Sequence, residues 1–162
     1  GQHGVMVECH LLASLIKIRS PRVHAHLTDE LEISPADLIS PWISRCFVGS
    51  LGDLEATARV WDCLVFEGPK VLHRVGLALL ALSESTVFSC AHPQALPRLL
   101  EARCAQALCG PGRGGALVGA AYKRSVVGGL PASLVAGLRA AAAEEVAGKL
   151  DERRRRLAAL LA

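Results

Sequence analysis

The stretch RVWDCLVFEGPKVLHRVGLALLAL, residues 59–82, decides the fold of this chain. Its first part ends at a Gly-Pro step, because Gly68 suits a helix C-terminus and Pro69 cannot continue a helix. The second part is almost wholly apolar and has large side chains at helical spacing: Val71, Leu72, Val75, Leu79 and Leu82. The stretch therefore predicts two consecutive helices, and we expect the second to be central in the core.

The composition of the 162-residue chain also favours helices. Hydrophobic residues make up 51% of it, charged residues 20% and aromatic residues only 4%. Leu, Val and Ala must therefore build the core, whereas sheets recruit β-branched and aromatic residues. Because the sequence has no strand alternation and no repeat of fixed period, we predict an all-α fold.

Helices are predicted along most of the chain. An apolar run at residues 5–18 is typical of a buried helix, and the Ser-Pro pairs at Ser20 and Ser34 are typical helix starts. In the second of these helices, Pro41 is expected to force a break or a restart before Trp42. A helix is predicted from Leu96, and a long Ala- and Leu-rich one over residues 130–162.

The segment DLEATARVWDCLVFEG, residues 53–68, is predicted to be an amphipathic helix. One stripe of it is expected to face the core and consists of Leu54, Ala58, Trp61 and Val65, with Leu64 beside it. In the segment before this helix, Ile43, Phe47 and Val48 are expected to face inward.

Charge, cysteines and hydropathy narrow the class of protein. The net charge of +3 does not by itself imply nucleic acid as a partner. None of the six cysteines forms a CxxC pair, so we expect reduced thiols in the core of a cytosolic protein. The run VGLALLAL is too short to cross a bilayer, and we predict neither a signal peptide nor a transmembrane segment. The opening GQHGV lacks an initiator Met, so we expect a truncated or partly predicted chain.

Four other features admit a functional interpretation and a simpler one. Histidines at His24 and His26, with His10 and His73 elsewhere, suggest a metal, but positions i and i+2 do not share a helix face. GPGRGG at residues 110–115 lacks the Lys-Ser/Thr of a phosphate loop, which favours a linker.

The remaining two features are a cysteine pair and a basic run. Cys104 and Cys109 are compatible with a redox pair, although a half-buried helix explains them more simply. The run DERRRRLA at residues 151–158 is compatible with acidic lipid or nucleic acid, but its neighbouring acidic residues favour a solvated helix face.

The order of these elements resembles the C-terminal half of a TBC domain, the helical Rab GTPase-activating module. The resemblance covers about half the chain and rests on a Pro-led helix, a Trp-containing helix and a Trp-Asp followed by Glu-Gly. The residues that carry it and to which we assign a structural role are Trp42, Trp61, Asp62, Glu67 and Gly68. One departure is Gly52, where the family commonly has proline; we expect it to weaken the following helix start.

The resemblance assigns structural roles to the motif. It implies that Trp61 packs against the preceding helix, that Asp62 anchors a backbone or Arg group, and that Glu67-Gly68 makes the turn into the core helix. Burial of such a large side chain contributes roughly 1.5–3 kcal/mol.

The catalytic residues of the family have no counterpart here. TBC proteins supply an Arg from IxxDxxR and a Gln from YxQ, which neutralise the transferring phosphoryl group and position the attacking water. Asp53 and Arg59 do not have the first spacing, and Tyr122, the one tyrosine, is followed by Lys-Arg-Ser. We therefore assign no catalytic, metal or cofactor residues, and we expect no Rab-GAP activity from this chain alone.

The predicted organisation is a partial TBC-like domain at residues 1–90 and a helical extension at residues 91–162 with a Gly-rich break at 110–115. The resemblance implies a Rab-type GTPase as partner, a role in vesicle traffic and a cytoplasmic location, with peripheral binding to endomembranes left open. The rival predictions are a non-catalytic Rab- or partner-binding module and a bare helical scaffold. We also expect exposed apolar faces on residues 5–18 and 71–82, and self-association through them.

Overall fold

The computed structural model describes residues 2–109, 113 and 115–161. These residues form α-helices and short π- and 3-10-helical turns, with no β-strand among them, which confirms the all-α prediction. Apart from Arg113 and Gly115, the predicted glycine-rich break at 110–115 lies outside the described residues. The helices are α1 Gln2–Arg19, α2 Pro21–Ala25, α3 Pro35–Ser44, α4 Leu54–Glu67, α5 Lys70–Leu82, α6 Glu84–Ser89, α7 Leu96–Arg103, α8 Ala116–Tyr122, α9 Arg124–Val127 and α10 Ala132–Leu161.

Helix α5 is the centre of the molecule, as its apolar sequence predicts. It contacts α1, α3, α4, α8 and α9. Its side chains are buried nearly all round, and even the His73 imidazole is 1% exposed. Gly68 ends α4 with a φ of +79°, and Pro69 is the N-cap of α5, so the Gly-Pro step makes the predicted turn between them.

Helix α10 runs along α1 and joins the two predicted segments into one core. Val146 is fully buried, and Leu134 and Leu138 pack against the core. Helices α8 and α9 pack on α5 from the same C-terminal segment. A single hydrophobic cluster therefore contains residues from both sides of position 90.

One stretch, Arg124–Leu160, is apolar and long enough to cross a membrane when judged by length and composition alone. The fold interrupts it between α9 and α10, where Gly128 has a φ of +75° and Pro131 precedes the long helix. Within α10, Arg139 is paired with Glu8 of α1. Packing on α1 accounts for the apolar face, and the predicted absence of a transmembrane segment stays a prediction.

Two expectations about helices were wrong. Pro41 does not break α3, which continues to Ser44, because an interior proline removes one backbone hydrogen bond while Trp42 and Ile43 hold the next turn in the core. The apolar faces of residues 5–18 and 71–82 are not bare either. Leu11, Leu12, Leu15 and Ile16 are fully buried by α3, α5 and α10, and most of α5 is equally enclosed.

Candidate functional site

Helix α4 is fixed at its start by a well-formed cap. The Asp53 carboxylate accepts a hydrogen bond from the Ala56 N–H at 2.8 Å, and the Thr57 hydroxyl donates to the Asp53 carbonyl at 2.8 Å. Ala56, Thr57 and Val60 form the buried side of the helix. These small side chains let α4 pack closely against α5 and α8.

The large apolar side chains of α4 point the other way. Leu54 is 86% exposed, Val65 84%, Phe66 89% and Trp61 47%. Val48, in the turn before α4, is 44% exposed. The prediction that the Leu54, Ala58, Trp61 and Val65 stripe and Val48 face the core was therefore wrong. The α4 face, by which we mean Val48, Leu54, Trp61, Val65 and Phe66, is an exposed apolar surface.

A groove of about 420 Å³ opens at the N-terminal end of this face. Its lining is mostly apolar and consists of Val48, Gly49, Gly52, Asp53, Leu54, Thr57, Ala58 and Trp61. The Trp61 Nε1–H donates to the Cys46 carbonyl at 3.0 Å, which holds the indole in place against the turn after α3. The groove therefore has a fixed aromatic wall.

The two tryptophans of the motif have different environments. Trp42 is 7% exposed and stacks on Phe47 at 5.9 Å between ring centres, so it belongs to the core. Trp61 contacts the turn after α3 with one edge and leaves about half of its surface to solvent. Of the pair, Trp61 is the one available to a partner.

The remaining motif residues lie at the C-terminal end of α4. Asp62 is exposed, and it forms no hydrogen bond or ion pair with the described part of the chain, so the anchoring expected of it is not seen there. The Glu67 carboxylate accepts a hydrogen bond from the Tyr122 hydroxyl of α8 at 2.7 Å. The Arg74 guanidinium lies over the Tyr122 ring at 5.2 Å.

Acidic groups dominate the rim of the α4 face. Residues 53–67 carry four carboxylates and one guanidinium, a net charge of −3. Arg59 is paired with Glu55 at 2.9 Å, which leaves Asp62 as an unneutralised carboxylate beside the apolar stripe.

The histidines and acidic residues of the described chain do not gather into a metal site. Among residues 2–109, 113 and 115–161, no group of three His, Cys, Asp or Glu side chains converges on a possible metal. His10, His26 and His73 each contact a glutamate instead, at 3.3, 2.9 and 3.0 Å.

The cysteines are free thiols, and three of them are strongly perturbed by burial. Burial raises the pKa of Cys9 and of Cys109 to about 11 and that of Cys104 to about 12. Such thiols stay protonated at neutral pH and are poor nucleophiles, so the simpler interpretation of Cys104 and Cys109 accounts for them.

One polar cluster was not foreseen from the sequence. Glu8 of α1 accepts two hydrogen bonds from Arg139 of α10, at 2.7 and 3.1 Å. The His73 Nε2 of α5 lies 3.0 Å from the same carboxylate, although its N–H is not aligned for a hydrogen bond. His73, and then Arg139, overcome the effect of burial and hold the pKa of Glu8 at about 2.

Comparison with known proteins identifies the family. Residues 1–88, more than half of the chain, match the model of the Rab-GTPase-TBC domain. The chain belongs to the RabGAP-TBC family. The matched residues include α1–α5 and most of α6, and so include the α4 face.

Several animal proteins are similar to part of the chain. Growth hormone-regulated TBC protein 6 of Caenorhabditis elegans is 34% identical over 87 residues, which are 54% of this chain and 26% of the relative. Growth hormone-regulated TBC protein 1 of Xenopus tropicalis is 34% identical over 52% of this chain and 24% of the relative. Carabin of Mus musculus is 34% identical over 60% of this chain and 21% of the relative.

The chain thus spans about a quarter of the length of these curated relatives. No solved structure matches it. The match that shows the family covers α1–α5 and most of α6, whereas the relatives' names describe whole proteins.

Proposed function

We propose that this chain is a non-catalytic part of a Rab-regulating TBC protein. Its residues 1–88 correspond to the C-terminal half of the family's domain, and they provide a packed frame and a partner-binding surface. The observation that carries this proposal is the family match over a segment whose sequence contains neither IxxDxxR nor YxQ. The proposed partner is a Rab-type GTPase, and the proposed process is vesicle traffic.

The catalytic part of the proposal follows from the chemistry of phosphoryl transfer. An arginine supplied in trans stabilises the transition-state charge and raises the rate by roughly 10³–10⁵. A chain without that arginine and without the water-positioning glutamine retains binding contacts only. The run of four consecutive arginines at residues 153–156 lies on the last turns of α10, outside the family-matched segment.

A single-turnover GTP hydrolysis assay tests the absence of activity. A panel of Rab GTPases loaded with GTP is mixed with excess chain, and a complete TBC protein serves as the positive control. We expect hydrolysis at the intrinsic rate for every Rab with this chain. An acceleration of tenfold or more, on the order of 1.4 kcal/mol in the barrier, would overturn the proposal.

A second candidate is a helical scaffold that binds partners other than Rab. The exposed α4 face favours this candidate, because an apolar surface can bind a partner whose conformation does not depend on GTP or GDP. Pull-down of Rab in the GDP and GTP states separates the two: retention that depends on nucleotide supports Rab recognition, and no retention in either state supports the scaffold. We propose a cytoplasmic location for both candidates.

A further inference from the structure

The most exposed large apolar side chains of the described residues gather at two separate places. One is the α4 face. The other is the α10 tip, by which we mean residues 149–161, where Leu157 is 51% and Leu160 82% exposed. Elsewhere Ile18, Leu99 and Tyr122 are exposed singly, which is ordinary for a folded protein.

The two places have opposite charge. The α4 helix with its cap, residues 53–67, has a net charge of −3. The α10 tip carries Lys149 and four arginines against two carboxylates, a net charge of +3. Arg154 and Arg156 are paired within the helix with Asp151 and Glu152, and Arg153 and Arg155 make no ion pair with the described part of the chain.

The α4 face and the α10 tip also have similar lengths. Leu54 and Val65 mark the ends of an apolar stripe about 17 Å long, and the α10 tip is a helical segment of about 18 Å, at a rise of 1.5 Å per residue. Arg153, Arg156, Leu157 and Leu160 share one side of that helix by their spacing. A helix that lies on an apolar surface buries leucines at this spacing, and long arginine side chains on the same side reach past them to an acidic rim.

From this complementarity we infer that the α4 face binds the α10 tip of a second copy of this chain. Leu157 and Leu160 pack on Trp61, Val65 and Phe66, and the arginines face Asp62 and the neighbouring carboxylates. The contact joins two different surfaces, so reciprocal exchange closes a dimer and one-way contact forms longer chains. It does not depend on Rab binding.

Mixing two variants tests this contact. Phe66→Asp disrupts the α4 face and leaves the α10 tip intact, whereas Leu160→Asp disrupts the α10 tip and leaves the α4 face intact. Both side chains are more than 80% exposed, so we expect both variants to retain the fold. We expect the wild-type chain to show a mass above the monomer in light scattering after gel filtration. Each variant alone is expected to be monomeric, and an equimolar mixture is expected to form a one-to-one dimer through its one intact face and one intact tip.

Three controls sharpen the result. Leu99→Asp changes an exposed leucine elsewhere and is expected to leave the wild-type mass unchanged. Asp62→Arg is expected to weaken association about tenfold, and added salt is expected to weaken it further, as for exposed charges. Trp61 fluorescence should move to shorter wavelength on association, because Trp61 is half exposed and Trp42 is already buried.

Each other outcome overturns the inference. Association of Leu160→Asp alone would indicate a face-to-face contact, and association of Phe66→Asp alone a tip-to-tip contact. A wild-type chain that stays monomeric while it binds vesicles of phosphatidylserine and phosphatidylcholine would assign the α10 tip to a lipid surface. A monomer that neither associates nor binds vesicles, or a mixture of variants that stays monomeric, would equally exclude the contact.

Discussion

The turn before α4 requires a glycine at position 52, because of both its backbone conformation and its close neighbours. The φ of Gly52 is +67°, and a Cβ placed there would approach the Ala105 Cβ to 2.6 Å. We predict that Gly52→Ala lowers the free energy of unfolding by about 2–3 kcal/mol, through backbone strain and the clash together. Urea denaturation followed by circular dichroism measures the change.

Gly49 provides the matched control, because its φ is +73° and nothing lies within 4 Å of a Cβ placed there. Gly49→Ala carries the strain alone, and we expect a loss of only about 1 kcal/mol. Equal losses for the two variants would show that the contact with Ala105 does not matter.

Gly52 is also the position at which the chain departs from the family pattern. A proline at position 52 would need a φ near −65°, which the observed turn does not have. The sequence suggests a weaker start for α4, but the Asp53 cap supplies the start instead. That compensation depends on the conformation of the turn, which the local sequence does not determine.

Helix α3 contains two prolines that have opposite effects on the stability of the helix. Pro35 lies at its first turn, where a proline is favourable, and Pro41 lies in its interior, exposed, where it removes a backbone hydrogen bond. We predict that Pro41→Ala raises the free energy of unfolding by about 1 kcal/mol and that Pro35→Ala lowers it. Thermal and urea denaturation of both variants checks this, and a loss from Pro41→Ala would show that the proline shapes the Trp42 packing.

Helices α4 and α5 show what sequence periodicity can and cannot determine. The apolar residues of α5 surround the helix, so its burial follows from the sequence with no choice of face. Helix α4 has two candidate faces, and the core takes the smaller side chains, Ala56, Thr57 and Val60. Periodicity shows that apolar residues share one face of a helix, but it does not show what that face contacts. An exposed apolar face therefore has the same sequence pattern as a face that packs in the core.

Across the whole molecule, the all-α class, the central helix and the long C-terminal helix were predictable because each depends on local composition. The contact between the segments was not. Glu8, His73 and Arg139 are separated by up to 131 positions, and nothing in their local sequence marks them as neighbours. They join α1, α5 and α10, so this cluster ties the family-matched segment to the C-terminal helix.

That cluster makes the stability of the whole fold depend on pH. The pKa of Glu8 falls from the ordinary 4.5 to about 2 on folding, so the folded state favours the ionised carboxylate. Its contribution is fully present above about pH 4.5 and is lost as the pH falls toward 2. Allowing for solvent around Glu8 and Arg139, we predict that Glu8→Gln lowers the free energy of unfolding at neutral pH by about 2 kcal/mol.

The pH profile distinguishes this effect from a general loss of packing. The difference between wild type and Glu8→Gln should shrink between pH 4.5 and about 2. Glu145→Gln is the control, because Glu145 is 51% exposed and pairs with Lys149 at 2.7 Å and with His10 at 3.3 Å. It should cost less than about 0.5 kcal/mol. A Glu8→Gln difference that stays constant down to pH 2 would mean that the carboxylate acts through its shape and not its charge, and the junction of α1, α5 and α10 would then depend on packing alone.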